Sequence, residues 1–172
     1  METRRGATML LTLAVGCAPS LDWREVWPEG SEAVVLFPCK PSHYARRVML
    51  AGEPVTLALS ACVAADATWA LAHADVVDPA RVGAALEALR EAAAANVAAA
   101  ASSPLPLRVP GATPNPRSVR LAMGGRLPDG KAVQEQVAVF AHGTRVFQAT
   151  VLSAALPSEA ADTFFGSLRF GP

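Results

Sequence analysis

The stretch KAVQEQVAVFAHGTRVFQATVL, Lys131–Leu152, decides the fold. It contains two runs of β-branched and aromatic residues on either side of His142-Gly143, a pair suited to a tight turn, so it predicts an antiparallel hairpin. Side chains alternate faces along a strand, which puts Val137, Val139, Val146 and Leu152 on one face and Ala138, Phe140, Phe147 and Val151 on the other. Both faces are apolar. Strands of this kind need cover on each side, and the expected architecture is an antiparallel α+β sandwich with a helix on each face of the sheet.

Outward from this hairpin, Pro128-Asp129-Gly130 fits a three-residue turn and joins a further strand, Ser118 to Leu127. Gly124, Gly125 and Gly130 lie within this hairpin and not between a strand and a helix, so they read as turn and bulge residues and not as a phosphate cradle. Pro157 to Ser167 reads as a closing helix with Ser158 as cap and Ala161, Phe164, Phe165 and Leu168 as its buried stripe. Asp78-Pro79 opens a second helix, because an acid at the N-cap and a proline at the first turn suit a helix start. Its apolar positions are Val82, Leu86, Leu89, Ala93 and Val97, with the alanine-rich end from Ala92 to Ala101 expected to fray. Ala33 to Phe37, Arg46 to Leu50, Pro54 to Val63 and Thr68 to Val76 read as four more strands, with a turn at Gly52-Glu53. Ser102 to Pro116 carries five prolines, which forbid a helix or central strand, and it reads as an extended, partly mobile linker. Trp23 and Trp27, spaced i, i+4, are expected on one side of a short helical turn within Leu21 to Gly30.

Composition narrows function. Of 172 residues, 52% are apolar and Lys+Arg equals Asp+Glu at 15 each, enough for one packed domain and without the cationic surplus that nucleic acid demands. At the N-terminus, Arg4 and Arg5 precede an apolar run from Ala7 to Val15, the pattern of an export signal and too short to span a bilayer. Ala14-Val15-Gly16-Cys17 resembles a bacterial lipobox, with Ala in place of the commoner Leu at its first position. The resemblance implies that Cys17 is acylated and anchors the chain to the membrane. Ala18 in place of Asp is similar to the outer-membrane sorting pattern, facing the periplasm. An uncleaved anchor or a disordered start is the other reading. The organisation expected is a signal over residues 1–17, a tether over 18–31 and one domain over 32–172 with its proline-rich loop at 102–116.

Cys39 and Cys62 then remain as a pair in an oxidising compartment. A disulfide would close a loop of about 24 residues, worth roughly 3 kcal/mol in the chain-entropy model. A turn at Gly52-Glu53 puts Cys62 opposite His43. A simple meander would then leave Cys39 two strands away, about 9.5 Å off, so the bond needs a crossover or bend at Pro41-Ser42. Two separate thiols are the alternative.

The order of elements, with Val35-Leu36-Phe37-Pro38, Arg145-Val146-Phe147-Gln148 and Phe164-Phe165-Gly166-Ser167-Leu168, resembles the PsbP-like superfamily. The resemblance implies an antiparallel sheet between helices and a non-catalytic role in binding or assembly.

No pattern names a reaction. His43, His73 and His142 lack the spacing that places two imidazoles on one helix face, so no metal is expected. There is no G-x-S-x-G elbow, and Ser167 suits a hydrogen bond to a backbone carbonyl. Gln134, Gln136 and Arg145, with Arg120, form a polar stripe that can line a binding surface beside the long loop or lie on a solvated sheet edge. The expectation is a non-catalytic envelope lipoprotein, without a cofactor, that binds a protein or small ligand through the sheet edge and loop. The alternative is a small periplasmic hydrolase with a site at His43, Tyr44 and Asp66.

Overall fold

The structure is a computed structural model describing residues 21–171; the segment expected to be an export signal, with Cys17, lies outside the described residues. Its strands are β1 (Arg24–Val26), β2 (Ala33–Phe37), β3 (Ser42–Leu50), β4 (Glu53–Ala64), β5 (Ala67–Asp75), β6 (Ser102–Leu105), β7 (Val119–Arg126), β8 (Ala132–His142), β9 (Arg145–Ser153) and β10 (Arg169–Phe170). Two helices, α1 (Val82–Asn96) and α2 (Ser158–Gly166), complete it. The long strands form one antiparallel sheet in the order β3-β4-β5-β9-β8-β7-β6, and β1-β2-β10 form a second, smaller sheet.

The hairpin Lys131–Leu152 lies at the centre, with Phe140 opposite Phe147 and His142 opposite Arg145. Its two apolar faces enter two separate cores. Val137, Val139 and Val146 join Leu86, Leu89 and Ala93 of α1. Ala138, Phe140, Phe147 and Val151 join Trp69, Phe37, Phe164 and Phe170. Leu152 is only half-buried and belongs to neither.

The expected helix on each face is not what forms. Strands hold 48% of the described residues and helices 18%, and only α1 lies against the sheet as a helical cover. The opposite face is covered by the small sheet, against which α2 packs. Dimensions explain this. A nine-residue helix is about 14 Å long, whereas seven strands at ~4.8 Å spacing extend roughly 29 Å. The fold is therefore mostly β, and not the expected α+β sandwich with a helix on each face.

The expectations for the two tryptophans and for the first hairpin also change, while the bridge between Cys39 and Cys62, one of the two readings of that pair, forms. Trp23 and Trp27 flank a strand and not a helical turn, because Arg24–Val26 pairs with Phe37–Val35; residues read as a tether thus belong to the small sheet. The turn after β3 is at Ala51-Gly52, with φ values of 49° and 83°, the doubly left-handed geometry that matches strand twist in a two-residue hairpin. This moves the register by two, so His43 faces Ser60 and not Cys62. Because β2 belongs to the small sheet, the chain crosses between sheets over Pro38 to Pro41, and Cys39 and Cys62 form a disulfide with Cα atoms 6.1 Å apart.

α1 follows a 3₁₀ turn at Pro79–Arg81 capped by Asp78, whose carboxylate accepts from the Ala80 N–H at 2.9 Å. The alanine tail stays helical to Asn96, since Ala93 is buried against the sheet. Beyond it, the Val97 carbonyl accepts from the Arg126 N–H at 2.6 Å, directly over Gly125. A methyl group at Gly125 would stand 1.9 Å from that oxygen, so this glycine is required by close backbone approach and not by a bulge. α2 starts at Ser158 without the expected side-chain cap. The proline-rich segment is tied down: Leu107, Val109 and Ala112 pack on the aromatic core, Thr113 donates its N–H to Ala141 at 2.8 Å, and Pro110 accepts from Phe170 at 2.9 Å.

Candidate binding cleft

β1 ends at Val26, and the next residues, Trp27-Pro28-Glu29, overhang the large sheet. Period-two alternation puts His43 and Ala45 of β3, Ala58 and Ser60 of β4 and His73 of β5 on the face beneath them, the same face as Leu71 and Trp69. Together they enclose a cleft of about 430 Å³, with Tyr44 and Leu59 at its rim. Trp27 is 60% exposed, and its indole N–H donates to Glu25 Oε1 at 3.1 Å. Its ring is therefore oriented but uncovered.

Two imidazoles line this cleft. His43 Nδ1 lies 2.9 Å from Ser60 Oγ. His73 is buried and stacks on Phe147 at 5.8 Å; burial, with the positive charge of Arg145, holds it below the ordinary histidine range and hence neutral. A neutral imidazole has one donor, here directed at the Glu29 backbone, and one acceptor, which can take a hydrogen bond from a ligand beside a stacking surface.

Trp27 also lines a second cleft of about 550 Å³ with Glu32, Gly111, His142, Phe170 and Gly171. There His142 stacks on Phe170 at 4.3 Å, and its Nδ1 is 2.8 Å from the Gly111 carbonyl. Glu32 stands 3.5 Å from His142 Nε2 and 3.0 Å from Arg145 Nη1. One exposed indole thus separates two adjoining clefts.

The residues expected to form a site are largely dispersed. Arg120 and Gln136 do meet, but Arg120 is 7% exposed, donates to Gln136 and to Asp162 at 2.7 Å, and lies 4.2 Å over the Phe165 ring. It clamps β7 to α2. Gln134 accepts from the Leu156 N–H at 3.5 Å nearby, while Arg145 of β9 stands opposite His142 at the other end of β8, six residues or about 20 Å from Gln136. The hydrolase trio does not converge either. Tyr44 faces the opposite side of the sheet from His43, and Asp66 lies in the turn about 20 Å along β4 from Ser60. Ser60 is 3% exposed, a floor group and not an open hydroxyl. Ser167 bonds the Phe164 carbonyl at 2.7 Å and accepts from Leu36 N–H at 2.8 Å, a structural role. No group of three or more metal-ligating side chains occurs among the described residues.

Trp27 was missed as a site residue because i, i+4 spacing puts two tryptophans on one face in a helix and in a strand alike. Only Trp23 reaches the core, 6.1 Å from Trp69. The signal available was Pro28, which cannot donate to a ladder and so keeps the strand from continuing past the indole just before it. Compared with protein-family models and with curated proteins, the chain matches none of them.

Proposed function

We propose that this is a non-catalytic accessory protein of the bacterial envelope, anchored through acylated Cys17, that binds its partner at the clefts around Trp27. The observation that carries the reading is the exposed indole at the junction of two clefts lined by His43, His73, His142 and Phe170. Large amphipathic rings that remain oriented and uncovered are the residue type that anchors interfaces. Arg120 and Ser167 serve the fold instead.

The test is site-specific photo-crosslinking in cells, with benzoylphenylalanine at Trp27 and, as control, at Arg108. A discrete adduct at Trp27 that is absent at Arg108 is the expected result; no adduct at Trp27 overturns the cleft as a binding site. Cys17→Ser is expected to move the chain from the membrane fraction to the soluble one, and continued tight membrane association would overturn the lipid anchor.

A further inference from the structure

The large sheet has two edges, and they are unlike. β6 has four residues and contains Pro104, which lacks an N–H to donate. β3 has nine residues, no proline and an unbroken register with β4, and Ser42 to Arg47 are exposed. A long, regular open edge is a template for another strand.

The turn fixes which groups face outward. Leu50 and Glu53 close a two-residue hairpin and form a hydrogen-bonded pair, so Leu50, Val48, Arg46 and Tyr44 turn their backbone groups toward β4. His43, Ala45, Arg47 and Met49 point theirs away. The side chains of these same four residues lie on the Trp27 side of the sheet, and His43 and Ala45 line the cleft.

Charge selects the occupant. Arg46 and Arg47 are exposed near the middle of β3 and have no ionic partner among the described residues. Two copies of β3 paired antiparallel about their midpoint would set arginine against arginine, which opposes self-association. Consecutive acidic residues on an added strand would face both.

We propose that β3 adds an extended acidic segment of a partner protein as an antiparallel eighth strand, placing two consecutive carboxylates opposite Arg47 and Arg46. The next residues of that segment, opposite Ala45 and His43, deliver apolar side chains into the cleft beneath Trp27. The inference rests on the reading of that cleft as a binding site and names the chemistry of its partner.

The probe is the fluorescein-labelled peptide Thr-Thr-Glu-Glu-Phe-Thr-Phe, titrated by anisotropy against the full chain. Its first residue is aligned with Met49 and its last with His43. Binding is expected, weakened roughly tenfold when both glutamates are replaced by lysine, as two cross-strand ion pairs imply. N-methylation of the first Glu and first Phe, whose amides face β3, is expected to abolish binding, whereas methylation of the second Glu and second Thr, whose amides face away, leaves it. The double variant Arg46→Glu, Arg47→Glu should prefer the lysine peptide, a reversal that misfolding cannot produce. Absence of binding at about millimolar peptide, or indifference to both N-methylation patterns and charge reversal, overturns the inference. Trp27→Ala separates the two proposals. Binding that needs Trp27 but ignores the arginines and peptide amides leaves the cleft and removes the strand; the converse leaves the strand and removes the cleft. A dimer of the full chain that the acidic peptide cannot dissociate would put a second copy on this edge and overturn the proposal.

Discussion

The two faces of the large sheet carry equal amounts of strand but different cores. Beneath α1 the side chains are aliphatic and small, among them Leu86, Leu89, Ala85, Ala93, Val137 and Val139. Beneath the small sheet they are aromatic: Trp69, Phe140, Phe147, Phe164 and Phe170. These rings meet edge-on or stacked at 5.0–6.1 Å, as with Phe147 and Phe170 at 5.0 Å and Trp69 and Phe164 at 5.6 Å. Two packed sheets stand about 10 Å apart, and rings fill that gap without the interlocking ridges that a helix supplies. Cover and core are matched on each side, so side-chain size says what kind of element will lie above a strand.

The largest break in this comparison should come from Phe147→Ala. It removes a ring that touches His73, Phe140 and Phe170, and about 3–5 kcal/mol of stability should be lost. Leu86→Ala on the helical side should cost less, about 2–3 kcal/mol, because α1 can settle toward the sheet. Urea denaturation of both variants measures the difference, and equal losses would mean that the two faces yield alike.

pH sharpens the contrast, because each face buries one group whose titration is shifted by the fold. Glu135, 4% exposed on the α1 face opposite Met123 and Leu152, has its carboxyl pushed up to about 7 by burial alone. Below about pH 4.5 both folded and unfolded states hold the proton; between there and about 7 only the folded state does, so stability falls as pH rises. The full loss is on the order of 3 kcal/mol. His73, on the aromatic face, has the opposite sign: its folded form resists protonation, so stability is present above about pH 6.5 and lost as pH falls. Glu135→Gln should therefore flatten the decline between pH 5 and 8 in urea midpoints while leaving any acid-side loss in place. An unchanged slope would assign the decline to another group.

Gly125→Ala should cost about 1–3 kcal/mol, since its methyl would displace the Val97 backbone and the end of α1. Gly124→Ala, with no heavy atom within 4 Å of an added Cβ, should be close to neutral. Thermal melts of the two variants compare a glycine required by contact with its unrestrained neighbour.

How much of this was legible in the sequence depends on whether an element carries its own signal. β2, β8, β9 and the core of α1 did, because alternation or 3.6-residue spacing marks burial. The first half of β3 did not: Ser42 to Ala45 face solvent at an open edge, and an edge without buried residues has no hydrophobic pattern. Nor did β1, where Arg24-Glu25-Val26 becomes a strand only by pairing with β2. The second cover was misassigned because the Phe164-Phe165 stripe is real but its helix is too short to span the sheet. The cleft was invisible because it joins Trp27, His43 and His73, remote in the chain and brought together by register.

The small sheet has a further consequence, for the order in which the chain matures. β2 lies between β1, its neighbour in sequence, and β10, at the far end of the described chain. During synthesis one flank of β2 can be occupied almost at once, while the other waits for Arg169 and Phe170. Phe170 also completes the ring cluster around Phe140 and Phe147. Closure of the aromatic layer is thus a long-range, late event, and a nascent chain stalled before it would carry an open strand and uncovered rings, the surfaces that chaperones hold.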